Sequence, residues 1–195
     1  MNKKKKLSFT YILLRRLGLN YSEEEYGQVS LWKVIKRVVK TYRDVFLLKY
    51  MMNSWLLSPI SPRKLRPWVL RTIGCKVGRN VFIGDNVKVD SGHADLIYIE
   101  DHVHIAGGTR LLCHQRDLSN YCVGDDYAKL GYKLQPIHLS KGCLIGMESF
   151  VMPGVTIGEG AIVGAFSLVT KDIPAWTIAT GRPAKVVKQI PERKR

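Results

Sequence analysis

From residue 77 onward the chain repeats every six positions. Aliphatic residues stand at Val77, Ile83 and Val89, at Ile99, Ile105 and Leu111, and at Leu139, Ile145, Val151, Ile157, Val163 and Val169. Four positions after most of them comes a small or β-branched residue: Val81, Val87, Val103, Thr109, Cys143, Ser149, Val155, Ala161 and Ser167. Glycine often follows the aliphatic residue directly, as at Gly84, Gly146, Gly158 and Gly164. A period of six is neither the helical 3.6 nor the simple alternation of a half-buried strand. It is the spacing of a short strand plus a turn, three of which close one triangular coil. The pattern predicts an all-β domain over residues 73–181, a parallel β-helix whose aliphatic residues stack inside. Helices and strands do not alternate, which argues against a doubly wound α/β fold.

Before residue 73 the period changes. Leu31, Trp32, Val34, Ile35, Val38, Val39, Tyr42, Val45 and Phe46 recur at helical spacing among basic residues, which predicts an amphipathic helix. Residues 45–57 are more apolar still, but Lys49 and Asn53 interrupt them and the run is too short to span a bilayer. Pro59, Pro62 and Pro67 then break helical structure. Residues 1–72 thus read as a helical extension. Its helix either packs on the domain or a subunit, or lies in an anionic membrane surface. Lys3 to Lys6 and the apolar run after them have the look of a leader peptide. Arg15 and Arg16 end that run and no small-residue cleavage site follows, so an uncleaved segment is expected.

The hexad frame breaks twice. Four extra residues separate Val89 from Ile99, and about 22 are extruded between Leu111 and Leu139. The second excursion, about residues 115–136, is long enough to be functional. It is expected to be an arm that reaches a neighbouring subunit or walls an acceptor site.

Charge sharpens this division. The net charge is +15, yet residues 73–181 carry a net of −2 while residues 1–72 carry +12 and residues 182–195 carry +5. Basic ends on a near-neutral body suit phosphate-bearing ligands or an anionic membrane better than nucleic acid, and no nucleic-acid-binding motif is present. Cys75, Cys113, Cys122 and Cys143 form neither a metal-binding nor a disulfide spacing, so buried thiols in a reducing cytoplasm are expected.

His114 stands where the hexad frame ends and the arm begins. An imidazole at the edge of a coil faces a cleft and is a usable base at neutral pH. Pro153 to Pro174 (PGVTIGEGAIVGAFSLVTKDIP) and Gly181 to Val187 (GRPAKVV) resemble the hexapeptide-repeat acyltransferases, which include maltose, galactoside, serine and streptogramin acetyltransferases. The resemblance covers residues 73–190. It implies a left-handed β-helix, a homotrimer with sites between adjacent β-helices, a short C-terminal helix in the basic 182–195 segment, and acetyl-CoA as co-substrate without a metal. It implies that His114 is the general base, that Asp90 one coil earlier contacts a sugar acceptor, and that a backbone N–H at a coil corner stabilises the oxyanion. Met147, Ala165, Thr170, Lys171, Lys185 and Lys188 are the implied donor-binding residues. Met147 replaces a smaller residue, and Leu144 stands where tryptophan is common.

The basic leader followed by Trp68 to Gly84 (WVLRTIGCKVGRNVFIG) resembles acetyltransferases of surface-polysaccharide biosynthesis. That implies O-acetylation of a polysaccharide or lipid-linked precursor at the cytoplasmic face of the membrane. A small soluble acceptor and a non-catalytic scaffold remain open. A zinc hydratase on the same fold would need three convergent histidines. No pair among His93, His102, His104, His114 and His138 has its five-residue spacing, and His102 and His104 would share a strand face.

Overall fold

The computed structural model describes residues 7–18, 26–54 and 61–193. The chain forms two compact units, Met1–Phe46 and Leu47–Arg195. Lys3 to Lys6, Leu57 and Pro59 lie outside the described residues.

The first unit holds helices α1 (Phe9–Arg16) and α2 (Leu31–Phe46). Ser8 caps α1, its Oγ accepting from the Tyr11 N–H at 3.2 Å and donating to the Val29 carbonyl at 2.9 Å. Ser30 does the same for α2, accepting from the Lys33 N–H at 3.3 Å.

The second unit starts with a π-helical turn over Leu47–Met51, another over Ser61–Leu65, and helix α3 (Arg66–Ile73). Pro67 does not break this helix. It lies in the first turn, where the missing N–H costs nothing. Gly74, at φ +124°, ends it. Val69, Leu70, Ile73 and Met52 are buried and close the open end of the hydrophobic column. Arg66 is buried with them, donating to the carbonyls of Met52 and Ile83, each at 2.9 Å, and pairing with Asp85. The described residues of 47–72, placed in the extension by the sequence pattern, therefore belong to the unit that carries the coils.

Three faces of parallel strands follow. The first holds β1 (Lys76–Val77), β4 (Ile97–Ile99), β9 (Ile137–Leu139) and β12 (Thr156–Ile157). The second holds β2 (Phe82–Ile83), β5 (His104–Ile105), β10 (Leu144–Ile145), β13 (Ile162–Val163) and β15 (Thr177–Gly181). The third holds β3 (Lys88–Val89), β6 (Arg110–Leu111), β11 (Phe150–Val151) and β14 (Leu168–Val169). The register stacks like on like: Ile83 on Ile105, Ile105 on Ile145, Ile145 on Val163. Of the hexad aliphatics, only Val77 and Val89 are less than fully buried, and both pack against the core. All nine small or β-branched partners are buried.

The polar ones are satisfied by turn carbonyls. Thr109 Oγ1 donates to the Ala106 carbonyl at 2.8 Å, and Ser149 and Ser167 donate to the Gly164 carbonyl at 3.0 and 2.7 Å. The glycine after an aliphatic residue answers to space between coils. A Cβ on Gly146 would lie 2.5 Å from the Ala165 nitrogen, so a side chain there forces the coils apart.

The last segment departs from expectation. Ala184–Gln189 is a strand, β16, and not a helix. It pairs antiparallel with β15, Lys185 opposite Thr180 and Lys188 opposite Ile178. The last coil leaves the edge of β15 open, and a strand satisfies those backbone groups where a helix would not.

Candidate active site

Chain direction around the coil brings the third face to the first at one corner, and the two frame breaks both fall there. The backbone stacks Asp90 on Leu111, Leu112 on Val151 and Met152 on Val169, through N–H to carbonyl bonds of 3.1, 3.2 and 2.9 Å. His114 therefore leaves the coil one layer from Asp90, and the two side chains meet. His114 Nδ1 lies 2.5 Å from Asp90 Oδ2.

Asp90 has little surface left, its side chain being 6% exposed. It also accepts from the Cys113 N–H at 3.3 Å and faces His93 Nδ1 at 3.3 Å from both oxygens. His93 arrives through the four-residue insertion, which winds into a helical turn over Ser91–Leu96. Burial works against the Asp90 charge. The hydrogen bond and positive charge of His114, then those of His93, outweigh it and hold the carboxyl below its usual range. A carboxylate only accepts, so the proton of this contact sits on His114 Nδ1 and the other ring nitrogen, Nε2, is turned away from Asp90. The acid at its back fixes which ring nitrogen meets the coil.

The excursion after His114 is more ordered than its sequence suggests. Strands β7 (His114–Arg116) and β8 (Tyr132–Leu134) pair antiparallel, so the arm is a hairpin with His114 in its first pair, opposite Leu134. Arg116 lies over the rings of Tyr132 and Tyr127, at 4.2 and 5.3 Å from their centroids, and the Tyr132 ring meets His114 edge-on at 5.5 Å. The root of the arm thus braces the imidazole from the side opposite the coil. Cys122, in the arm, is exposed and not a buried thiol. Burial pushes the other three thiols up to about 12, which leaves them un-ionised.

The implied donor residues fall on two corners and one edge. Thr170 and Lys171 follow β14 on the corner that carries Asp90 and His114, and both are exposed. Met147 and Ala165 lie on the next corner, between the second and third faces, stacked by the Phe166 N–H on the Met147 carbonyl at 2.8 Å. Lys185 and Lys188 are exposed on β16. One chain does not gather these six residues into one pocket. Beside Met147 and Ala165 is a cleft of about 320 Å³ lined by Arg110, Glu148, Phe150, Phe166 and Arg182, among others. The sequence does not mark either arginine: Arg110 is one exposed residue of strand β6, and Arg182 lies within the GRPAKVV run with no role implied for it.

Asp90, His93 and His114 offer three ligand atoms within 4.8 Å of one another. Two ligands of one tetrahedral zinc, with bonds of about 2.0–2.1 Å, stand more than 3 Å apart. The 2.5 Å between Asp90 and His114 is instead a hydrogen-bond distance. His102 and His104 do not share a strand face: His102 sits in a left-handed turn at φ +63°, and His104 stacks on Phe82 with centroids 4.1 Å apart.

Comparison with known proteins bears on the coils. Residues 136–171 match the family model described as bacterial transferase hexapeptide (six repeats). An acetyltransferase of Staphylococcus aureus Mu50, SAV2555, is 40% identical over 115 residues, 59% of this chain and 55% of the relative. The chain spans little more than half the length of that relative. WcaF of Escherichia coli K12, named for colanic acid biosynthesis and acetyl transfer, is 34% identical over 145 residues. That alignment covers 66% of this chain and 79% of WcaF. The chain belongs to the hexapeptide-repeat transferases. A left-handed winding of the three parallel faces goes with that family. Among solved structures, a mutant of the Bacillus cereus N-acyltransferase AntD, in complex with dTDP and coenzyme A, superposes with a TM-score of 0.52. It is 26% identical, covering 60% of this chain and 63% of AntD.

Proposed function

We propose that this hexapeptide-repeat protein transfers an acetyl group from acetyl-CoA to a hydroxyl of a sugar acceptor in surface-polysaccharide biosynthesis. The observation that carries the reading is the Asp90–His114 contact at the root of the arm, with Nε2 left free. His114 Nε2 takes the proton of the acceptor hydroxyl as its oxygen attacks the thioester carbonyl. The tetrahedral intermediate collapses with cleavage of the C–S bond, and the imidazolium returns its proton to the CoA sulfur. Asp90 supports the positive charge on the ring during this cycle and holds its tautomer. A backbone N–H at a coil corner receives the oxyanion.

Asp90 is nearly used up by His114, His93 and the Cys113 N–H, so its part is to position His114 rather than to grip the sugar. Acceptor contacts then fall to His93 and to the tyrosines of the arm. Met147, Ala165, Thr170, Lys171, Lys185 and Lys188 remain the proposed donor contacts. Their division between two corners is what a groove between two β-helices would use, each chain lending one corner. A homotrimer supplies such grooves, and the arm of one chain can then cover its neighbour's site.

WcaF supports the polysaccharide acceptor, and bound coenzyme A in AntD supports the donor. AntD, an N-acyltransferase, also supports a second reading in which the acceptor is an amine. The two differ in product: an ester is released by mild alkaline hydroxylamine and an amide is not. The test is calorimetric titration with acetyl-CoA and with free CoA, followed by acceptor screening. Micromolar binding weakened by Lys171→Ala and Lys185→Ala is expected. No binding by the folded protein would overturn the reading in favour of a scaffold.

A further inference from the structure

Helix α2 separates its side chains by kind. At about 100° per residue, Leu31, Trp32, Ile35, Val39, Tyr42 and Val45 fall within one arc of roughly 140°. Lys33, Lys36, Arg37, Lys40 and Arg43 occupy the opposite arc. A helix that packs in a globular core hides its apolar arc. Here that arc is open, with Trp32 64% and Tyr42 75% exposed. The single acid of the helix, Asp44, is buried and taken by Arg43, whose Nε and Nη2 lie 2.9 and 2.6 Å from it. Lys33, Lys36 and Lys40 have no second acid on the helix to meet. Lys36 sits 5.4 Å over the Trp32 ring, at the boundary between the two arcs. Helix α1 repeats the arrangement on a smaller scale, with Phe9, Ile12, Leu13 and Leu17 exposed and Arg15 and Arg16 in its last turn.

We infer that α2 docks the protein on an anionic lipid surface, lying in the plane of the membrane. The apolar arc enters the headgroup–acyl boundary, Lys36 at its margin meets lipid phosphates, and Lys33 and Lys40 feel the negative surface potential. Charge decides between occupants. A second copy of α2 would bring Lys33, Lys36 and Lys40 again and no acid to meet them, so a contact between copies leaves these charges unneutralised. An anionic surface neutralises them and releases counterions. No helix among the described residues is long and apolar enough to cross a membrane, and in-plane docking needs none. The tryptophan and the lysines at the arc's margin are the residue types that sit at such a boundary. This inference does not rest on acyl transfer, and its readout is independent of activity.

The test is co-sedimentation of the full chain with vesicles of phosphatidylcholine alone and with about 30% phosphatidylglycerol added. Binding at least about ten-fold tighter to the anionic vesicles is expected, falling as salt rises. Val39→Glu with Val45→Glu introduces charge on the exposed arc without touching the core, and removes binding to both vesicle types. Lys33→Gln, Lys36→Gln and Lys40→Gln together remove the preference for the anionic lipid. Circular dichroism and the native assembly mass of each variant must match the parent. Equal binding to neutral and anionic vesicles, or none to either, overturns the inference. So does a fall in assembly mass in Val39→Glu with no change in vesicle binding, which would assign the arc to a contact between copies.

Discussion

Asp90→Asn is the sharpest probe of how His114 is activated. The amide keeps the size of the carboxylate, so the Cys113 N–H and His93 contacts can survive in altered form. What it removes is the charge behind the imidazole. With an effective dielectric of about 20 and charges about 4 Å apart, the attraction between carboxylate and imidazolium is at most about 4 kcal/mol. A charge-assisted hydrogen bond nets about 1.5–3 kcal/mol. The Asp90 side chain is 6% exposed but that of His114 is 35% exposed, so solvent screens part of this and the lower figure governs. The loss in the transition state, where the ring carries its charge, is then about 2–3 kcal/mol, or about 30- to 160-fold in kcat. The assay follows the free CoA thiol with a chromogenic disulfide at saturating acetyl-CoA and varied acceptor. Because Asp90 is not one of the proposed acetyl-CoA contacts, the KM for acetyl-CoA should hold within about two-fold. A rise in acceptor KM with kcat unchanged would refute the reasoning and return Asp90 to the acceptor-binding role that family resemblance implies. An unchanged kcat and KM would remove it from the site altogether.

Other outcomes follow from the same geometry. His93→Gln should lower kcat by about three- to ten-fold, since Asp90 loses one of several partners; a loss equal to that of Asp90→Asn would mean His93 itself moves a proton. Dialysis against a chelator should leave acetyl transfer intact, and activity restored only by added zinc would assign Asp90, His93 and His114 to a metal. The lowered carboxyl of Asp90 stabilises the fold fully above its unfolded value of about 4, and that contribution is lost as pH falls through the lower folded value. Asp90→Asn should therefore flatten the acid end of the stability profile, read by unfolding across pH. Gly146→Ala should cost about 2–4 kcal/mol in reversible unfolding, because its Cβ meets the backbone of the next coil. A cost below about 0.5 kcal/mol would show that the coils yield.

How much of this the sequence disclosed depends on whether a feature repeats. The coils are legible because one packing environment recurs every six residues and asks for the same side chain each time. Ile83, Ile105, Ile145 and Val163 stack in the order their spacing implies. His114 was legible as a residue, from its place at the frame break and from family resemblance, but its partners were not. Asp90 reaches it across 24 positions. His93 reaches Asp90 only because the four-residue insertion winds into a turn, and an insertion announces extra chain without its shape. The arm read as irregular because its hairpin pairs only three residues a side, too few for alternation to register. β16 was missed for a related reason. Its pairing is dictated by the open edge of the last coil and not by its own residues, of which two are lysines and two are valines. The apolar arc of α2 was read correctly as amphipathic, but only its exposure separates a surface helix from a packed one.

The central claim is base catalysis by His114 of acetyl transfer from acetyl-CoA to a sugar hydroxyl. The most direct measurement is mass spectrometry of sugar acceptors incubated with acetyl-CoA and either the parent protein or His114→Ala. The account predicts an acetyl mass increment on the acceptor that mild alkaline hydroxylamine removes, matched by CoA release. It predicts a fall of about 10²- to 10⁴-fold in His114→Ala with acetyl-CoA binding unchanged. Acetylation that proceeds equally well in His114→Ala, or acetyl-CoA binding by the parent with no acceptor ever modified, would contradict it.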